Sequence, residues 1–327
     1  MNLSKLAKIC GVSVSTVSKV FSESSEISEE TKQRVIAAAK EHGCFEKYFK
    51  PKYKKRLIAI ICPEVLGIHY SEMITYMEEI ISAAGDTMIV SVGNFSKEKQ
   101  DELLDYYIHF AHADGIIVIE PTKKIHIKTD TPIVQIGMNN ETSQVHCVDV
   151  NIRPAMKKAF LKLISLGHRK IGFIGEKNTD VEYSYFEQGF KVTPLLPDRK
   201  YVSVNDKRFY DCGYYGMDEL IKAGNVPTAV FAAYSHIAVG ILKRLNEENL
   251  SVPDDISIIC MDDIVSQPYS DVELACIKMH LDALSSEAVN LLYRMMENRF
   301  KTTKQVITVT RIFEEGKSIG EAKGSFA

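Results

Sequence analysis

The chain of 327 residues contains no tryptophan, and none of its apolar runs reaches the length of about 20 residues that crosses a bilayer. Its first residues, Met1 to Cys10, follow a polar helical pattern that lacks the apolar core of a secretion signal. These absences argue against a membrane protein and against a secreted one. We therefore expect a cytoplasmic protein with no membrane partner.

The seven cysteines contain no CxxC pair, their number is odd, and several of them lie inside apolar runs. This pattern is typical of reduced core thiols and argues against a disulfide framework, a redox pair or a zinc site. The chain has no GxGxxG motif, no complete Walker motif and no HExxH motif. We expect no metal, no cofactor and no catalytic residue, and therefore no enzyme.

Aspartate is absent from residues 1–56, which hold twelve Lys or Arg and six Glu and so carry a charge of about +6. The remaining residues carry about −9, although the net charge of the whole chain is only −3. A small basic head on an acidic body predicts that the head alone meets a polyanion.

The first 43 residues divide into three short helical patterns. Each pattern follows a residue that commonly caps helix N-termini: Asn2, Ser13 and Ser28. The tight turn at Gly11 between the first two patterns is typical of a helix-turn-helix unit, whose second helix enters the major groove of DNA. That helix is Val14 to Phe21. By spacing alone, a solvated three-helix cap without a partner would also fit.

On a docked second helix, Val14, Ser15 and Lys19 face the base edges. Val14 offers an apolar surface to a thymine methyl group, Ser15 offers a hydroxyl, and Lys19 offers a donor to guanine. Phosphate contacts fix the register without reading the sequence. They are expected from Ser13, Thr16, Ser18 and Lys32. We predict double-stranded DNA as the partner of the head.

From Leu57 onward, apolar strand patterns alternate with amphipathic helices. Leu57 to Cys62 and Gly115 to Ile119 are continuous apolar runs, typical of parallel strands buried on both faces. The alternation occurs twice, which predicts two doubly wound parallel sheets and a ligand cleft at the carboxyl ends of their strands. A last amphipathic helix, Leu281 to Met296, fits the core of a lobe or a dimer seam, and we expect the core.

Four segments resemble motifs of the LacI/GalR repressor family. Leu6 to Val20 and Ser28 to Val35 are similar to the family's DNA-binding signature and to its third helix. Leu166 to Gly175 and Val252 to Ile264 are similar to two motifs of its ligand-binding part. The resemblance covers nearly the whole chain.

The resemblance implies an α/β protein with a three-helix helix-turn-helix head and two lobes like those of a periplasmic binding protein. The implied division is a DNA-binding domain over 1–45, a hinge or linker over 46–56, and a ligand-binding and dimerisation domain over 57–327. Lobe 1 then spans about 57–152 and 278–303, and lobe 2 about 153–277 and 304–320. The implied function is repression of a carbohydrate-use operon by a homodimer or tetramer that leaves its operator when a sugar effector binds between the lobes.

Two departures from the family concern DNA binding. Lys19 stands where the family usually has Arg, and a lysine cannot make the bidentate contact to guanine, so we expect a different operator sequence. The family's hinge helix inserts a leucine into the minor groove, but this linker lacks that leucine and carries Pro51, which disfavours helix at Lys50. Phe49 or Tyr53 would serve as the wedge, or the linker is a flexible basic tether that binds phosphates.

Sugars are held by carboxylates and amides on their hydroxyls and by an aromatic face against the ring. The resemblance implies ligand contacts for six residues: His69, Tyr70, Asp149, Asn151, Tyr234 and Asp262. Tyr70 is expected to stack on the ring, and Tyr234 to add an aromatic wall. Plainer roles fit four of them. Asp262 would cap a turn, and Asp149 would pair with a neighbouring basic side chain. Asn151 would brace the hinge, and His69 would lie on the surface.

The family's ligand-binding Arg is missing, because the segment 178–190 holds no Lys or Arg and Phe186 or Glu182 stands near that place. A neutral sugar therefore fits better than an anionic one, and the motifs are closest to galactoside-type members. Hinge motion about crossovers near Asn151 and Ile264 would link the ligand to the DNA. Two alternatives stay open: a regulator whose ligand or partner protein acts as corepressor, and a sugar-binding protein without a regulatory role.

Overall fold

The computed structural model describes residues 1–22, 24, 26–48, 55–137, 145–262, 272–297 and 304–323. The head contains α1 (Leu3–Cys10), α2 (Val14–Phe21), α3 (Glu29–Glu41) and α4 (Phe45–Tyr48). The first three helices are capped by the predicted side chains: Asn2, Ser13 and Ser28. Gly11 ends α1 with a left-handed φ of 64°, which glycine adopts without steric cost.

A small core joins the helices of the head, with Leu6 and Val35 fully buried in it. The short helix α4 also packs against this core. The ring centroid of Tyr48 lies 5.9 Å from that of Phe21, and its hydroxyl donates to the carbonyl of Met1 at 2.8 Å. The packed head therefore extends to Tyr48, beyond the predicted boundary at residue 45.

The body is built from strands and helices that alternate along the chain. The strands are β1 (Leu57–Cys62), β2 (Thr87–Val92), β3 (Gly115–Ile119), β4 (Ile133–Ile136), β5 (His146–Asn151), β6 (Ile171–Glu176), β7 (Val202–Asn205), β8 (Ala229–Ala232), β9 (Ser257–Cys260), β10 (Ala275–Lys278), β11 (Val306–Thr310) and β12 (Ile312–Glu314). The helices are α5 (Ile68–Ala83), α6 (Lys97–Asp105), α7 (Arg153–Ser165), α8 (Asp180–Gly189), α9 (Phe209–Lys222), α10 (Ser235–Glu247) and α11 (Leu281–Glu297). Within the part of the chain that the structure describes, no helix combines the length and apolar content of a membrane span.

The strands of the described residues form two sheets of six strands each, and two sheets are what the sequence predicts. The first has the order β11-β5-β4-β3-β1-β2 and is parallel throughout. The second has the order β12-β10-β9-β8-β6-β7, with only β12 antiparallel to its neighbour β10. Helices cover the central strands, and β3 is buried along its whole length. This double burial explains the continuous apolar runs of the sequence.

The described chain passes between the two sheets at Asn151, at Met279–His280 and at Arg311. The crossover predicted near Ile264 lies outside the described residues. It is wrong as a crossover, because β9 and β10 on either side of it both belong to the second sheet. The assignment of 304–320 to lobe 2 is also wrong for β11, which pairs along its length with β5 of the first sheet.

The last helix of the body, α11, packs in the core of the first lobe. Its side chains Leu284, Ala288 and Leu292 are buried in one cluster with Ile58 and Ile117 of the first sheet. The predicted core position of this helix is therefore confirmed. Its apolar spacing is satisfied inside the lobe.

Helices α9 and α10 approach each other through glycine. A Cβ atom on Gly213 would lie 1.9 Å from the carbonyl oxygen of Ile237, and one on Gly240 would lie 2.0 Å from that of Tyr210. Neither position has room for a side chain, so the two backbones are in direct contact. This contact fixes the N-terminus of α9, and with it Arg208, at the carboxyl end of the second sheet.

Candidate functional site

The second helix of the head exposes the side chains that the sequence predicts for base contacts. Val14 is 44% exposed, and Ser15 and Lys19 are exposed as well. The Nζ atom of Lys19 forms an ion pair with the carboxylate of Glu26, which precedes α3. Glu26 is a residue that the sequence analysis missed, because no local signal marks it as the partner of Lys19.

The predicted phosphate contacts include residues that already have a structural role. The Ser13 hydroxyl accepts from the backbone N–H of Thr16 at 3.0 Å and lies 2.8 Å from the Thr16 hydroxyl. Lys32 donates to Glu29 one turn away at 2.6 Å. DNA contacts stay predictions for all seven residues: Ser13, Val14, Ser15, Thr16, Ser18, Lys19 and Lys32.

The predicted wedge of the linker, Phe49 or Tyr53, lies outside the described residues. The C-terminal end of the linker is fixed to the body through Arg56. Its backbone N–H donates to Asp86 Oδ1 at 2.9 Å, and its guanidinium carbon lies 5.5 Å from the ring centroid of Tyr293. The last linker residue therefore belongs to the packed body.

Three side chains at the carboxyl end of the first sheet form one network. Glu120 follows β3 and accepts from the Tyr70 hydroxyl at 2.5 Å, while its other oxygen lies 3.4 Å from His69 Nε2. Burial opposes ionisation of Glu120, but the hydrogen bonds from His69 and Tyr70 and the charge of His69 lower its pKa. The structure thus brings the predicted residues His69 and Tyr70 together on Glu120, which the sequence analysis missed.

Asp262 faces this network from the second sheet. Its carboxylate accepts from the backbone N–H of Ser235 at 2.9 Å, at the start of α10, and from the Cys260 thiol at 3.0 Å. Burial raises its pKa to about 6, against the opposing charges of His69 and Arg311. A small opening between the lobes is lined by His69, Asp262, Met279 and Leu281. Asp262 therefore caps a helix and also faces the other lobe.

Arg311 lies at the crossover between β11 and β12. Its Nη1 donates to the carbonyl of Met261 at 2.7 Å, while its buried Nε finds no hydrogen-bond partner among the described residues. Burial and the charge of Glu120 raise the pKa of Glu182 to about 7, and Arg311 opposes this shift. The buried hydroxyl of Tyr234 also lacks a partner in the described chain. Buried donors without partners among the described residues have room for an acceptor such as a bound water or a ligand.

Arg208 is a second cleft cation that the sequence analysis missed. Its Nη2 lies 2.9 Å from each carboxylate oxygen of Glu64, which follows β1 of the first lobe. Its Nε lies 2.6 Å from Glu176 Oε2, at the end of β6 in the second lobe. The segment 178–190 indeed supplies no cation, but Arg208 and Arg311 bring two guanidinium groups to the cleft from elsewhere.

The remaining predicted ligand residues lie at the first crossover. Asn151 accepts from the backbone N–H of Arg153 at 3.2 Å, and its carbonyl accepts from the N–H of Arg311 at 3.0 Å. Both bonds brace the crossover. Asp149 is half-buried on β5, and its charge adds to burial in raising the pKa of Tyr185. Ligand contacts of Asp149 and Asn151 stay predictions.

Two side chains near family motifs are structural. His168 lies 3.0 Å from the Thr228 hydroxyl and 3.0 Å from the carbonyl of Gly320, through its two ring nitrogens. Burial lowers its pKa, so the ring is neutral near pH 7. Phe186, considered for the place of the missing Arg, is fully buried in the core of the second lobe. Neither side chain faces the cleft.

The expectation that the chain has no GxSxG motif is wrong, because the segment Gly316–Gly320 has this spacing, which is found around the nucleophile of many hydrolases. Its serine, Ser318, is fully buried. The hydroxyl donates to the carbonyl of Ile258 at 2.6 Å and accepts from the N–H of Ala275 at 2.8 Å. This serine ties three chain segments together and has no access to a substrate.

Two family models match the chain. Residues 2–44 match the bacterial regulatory proteins of the lacI family, and residues 160–318 match a periplasmic binding protein-like domain. The first match coincides with the helix-turn-helix head. The second covers most of the second lobe, including Arg208 and Asp262.

Two relatives are similar to this chain along most of their length. The HTH-type transcriptional regulator AscG of Escherichia coli (strain K12) is 24% identical over 90% of this chain and 91% of its own. Catabolite control protein A of Priestia megaterium is 23% identical over 89% of this chain and 91% of its own. Both are named as regulators and not as enzymes.

Solved structures share the fold. A LacI-family transcriptional regulator from Silicibacter pomeroyi has a TM-score of 0.75 at 19% identity, covering 98% of this chain and 99% of that one. The CelR–cellobiose complex has a TM-score of 0.67 at 22% identity, covering 97% of this chain and 99% of that one. The lac repressor dimer bound to operator and the anti-inducer ONPF has a TM-score of 0.72 at 18% identity, covering 97% of this chain and 98% of that one. The head, the lobes and both family matches agree: the chain has a DNA-binding head of the lacI family of bacterial regulatory proteins joined to a periplasmic binding protein-like domain, and it is similar to lacI-family regulators along most of its length.

Proposed function

We propose that this protein is a cytoplasmic, sequence-specific repressor of a carbohydrate-use operon that leaves its operator when a neutral sugar binds between the lobes. The basic helix-turn-helix head and the family support DNA as the partner. The lac repressor is described as a dimer bound to operator, which supports a homodimer here. One head reads only a few base pairs, so two heads on a two-fold operator are needed for useful affinity.

The observation that carries the ligand proposal is the opening shared by His69 and Asp262. His69 belongs to the first lobe and Asp262 to the second, and both line the same small space. A ligand that bonds both side chains binds the closed arrangement better than the open one. It therefore shifts the balance between the two arrangements.

A hydroxylated ligand suits the groups around this opening. Asp262 and Glu120 provide acceptors, while the buried Nε of Arg311 and hydroxyl of Tyr234 provide donors without partners among the described residues. A sugar hydroxyl donates and accepts, and so it serves both kinds of group. CelR was solved with cellobiose, and the motifs here resemble those of galactoside-type members, so cellobiose and galactosides are the first sugars to test.

The test is operator binding by the full chain, measured by fluorescence anisotropy with and without a panel of neutral sugars. Release by one sugar supports the proposed inducer, whereas tighter binding in its presence makes that sugar a corepressor. An operator affinity that no sugar changes contradicts the proposed effector class. Reciprocity requires that operator DNA weaken the binding of an inducer by the same factor.

Asp262→Ala should keep operator binding and lose the response to the sugar. Removing a charged hydrogen-bond acceptor should weaken the binding of the sugar by about 1.5–3 kcal/mol, measured by calorimetric titration. Asp198→Ala is the matched control, because Asp198 also caps a short helical turn in the second lobe but pairs with Lys200 at the surface. Wild-type sugar affinity in Asp262→Ala would remove this residue from the cleft assignment.

A further inference from the structure

Arg208 joins the two lobes through carboxylates on both sides. Two distances of 2.9 Å from Nη2 to both oxygens of Glu64 reach the first lobe, and a distance of 2.6 Å from Nε to Glu176 reaches the second. Glu64 and Arg208 are separated by 144 residues along the chain. The pair is therefore a direct bond between the two lobes, close to the cleft but separate from the opening at His69 and Asp262.

The second lobe holds Arg208 in a fixed position. Glu176 is only 2% exposed, and its other oxygen accepts from the backbone N–H of Phe209 at 2.6 Å. Phe209 takes a φ of +53°, which costs a non-glycine residue about 1–3 kcal/mol. The guanidinium carbon of Arg208 lies 4.5 Å from the centroid of the Phe209 ring. Strain, burial and stacking together orient the arginine toward the first lobe.

The burial of its partners distinguishes this cluster from the surface ion pairs of the body. Glu64 is 13% exposed and Glu176 only 2% exposed, so both carboxylates depend on Arg208 for compensation. The neighbouring pair Lys177–Asp206 is 69% and 74% exposed and lies within the second lobe. Pairs exposed in that way contribute little. Opening the lobes would leave Glu64 without its guanidinium.

We propose that Arg208 is an interlobe latch that holds the lobes together without ligand and excludes anionic effectors from the cleft. The Nη2 and Nε atoms of its guanidinium already meet protein carboxylates, so the edge that these two nitrogens form is not open to a carboxylate or phosphate of a ligand. The other basic side chains of the cleft also face carboxylates: His69 lies beside Glu120, and Arg311 faces Glu120, Glu182 and Asp262. The statement about effectors rests on the proposed function, whereas the latch does not.

The latch is tested on the ligand-free full chain by small-angle X-ray scattering. Arg208→Met removes the bond between the lobes, and Glu64→Gln weakens it by removing the negative charge and one of the two acceptor oxygens, so each variant should give a larger radius of gyration than the wild type. Lys177→Met is the matched control and should leave it unchanged. Glu64→Gln keeps the pair between Arg208 and buried Glu176, so it decides the question even if Arg208→Met fails to fold. Equal radii for wild type and Glu64→Gln would overturn the latch.

The charge class is tested by calorimetry with matched sugars, D-galactose against D-galacturonate and D-glucose against D-glucuronate. In whichever pair binds, the wild type should have an affinity for the neutral sugar about tenfold or more above its affinity for the matching uronate. Glu64→Gln should narrow the ratio of the two affinities, because the substitution removes one negative charge beside Arg208 and leaves its guanidinium less fully compensated. A wild-type preference for a uronate, or an unchanged ratio in Glu64→Gln, would overturn this part. If no neutral sugar binds wild type, the proposed effector fails, while the scattering comparison still decides the latch.

Discussion

The head and the cleft both pair their charged side chains, but they expose them very differently. Lys19 and Glu26 of the head are both half exposed or more, whereas in the cleft Arg208 is 42% exposed but its carboxylate partners Glu64 and Glu176 are only 13% and 2% exposed. An exposed pair is screened by water and salt and is given up at small cost. A buried pair is costly to break, because one charge is left without compensation. The head is thus ready to exchange a protein carboxylate for DNA, whereas the cleft charges hold a geometry.

The largest effect expected from this comparison is at the base-reading end of the head. Lys19→Ala should lower operator affinity by about 1–3 kcal/mol and relax the preference at one base pair, because we predict that Lys19 leaves Glu26 to contact a base. Lys32→Ala should lower the affinity for all DNA sequences about equally, because a phosphate contact carries no sequence information. The measurement is a binding competition with single-base variants of the operator. Equal loss on every variant for Lys19→Ala would show that Lys19 contacts only phosphate.

A smaller effect is expected from Glu182, which faces other carboxylates in the cleft. Its folded pKa of about 7 lies above the ordinary 4.5, so the folded chain retains a proton that the unfolded chain has released. The free energy of unfolding should therefore fall as pH rises from about 4.5 to about 7 and then level off. Glu182→Gln should remove this fall in the free energy of unfolding, which amounts to a value on the order of 1–2 kcal/mol after allowance for solvent access.

The measurement for Glu182 is urea unfolding of wild type and Glu182→Gln at several pH values. The variant should gain stability relative to wild type as pH rises through this range. Glu102→Gln is the control, since Glu102 is paired with Lys99 at the surface of α6. If the free energy of unfolding of Glu182→Gln differed from that of the wild type by the same amount at every pH, this would argue against a raised pKa of Glu182 in the folded protein.

The same comparison explains how much the sequence predicts. The helices of the head depend on neighbours a few residues apart, and the caps Asn2, Ser13 and Ser28 were found where the sequence places them. The two sheets were also predictable, because strands buried on both faces leave continuous apolar runs. Capping and burial are local signals, so a single sequence contains them.

The elements that position the latch give no such signal. Strand β7 and helix α9 were missed, and in α9 the glycines Gly213 and Gly216 occupy part of the buried face, which leaves only Met217 and Leu220 as large apolar side chains on it. Arg208 meets Glu64 across 144 residues, a distance that no local pattern reports. The switch of β11 back to the first sheet likewise depends on pairing with β5. Contacts between distant segments therefore decide the cleft, and they need the fold.

The smallest effect is expected at Glu26, the exposed partner of Lys19. In the free protein Lys19 donates to Glu26, and this hydrogen bond, together with the lysine charge, lowers the pKa of that carboxyl. DNA has to take Lys19 from this carboxylate and also bring its phosphates near a negative charge. Glu26→Gln should therefore raise affinity for DNA of any sequence by roughly two- to fivefold, and more at low salt, because exposed charges are screened. Glu41→Gln, at the opposite end of α3, removes the same charge from the head without freeing Lys19 and should raise affinity less. Anisotropy titrations with operator and with unrelated DNA at two salt concentrations measure both changes. An unchanged or weaker affinity in Glu26→Gln would mean that Glu26 orients Lys19 for the base and does not compete with the DNA.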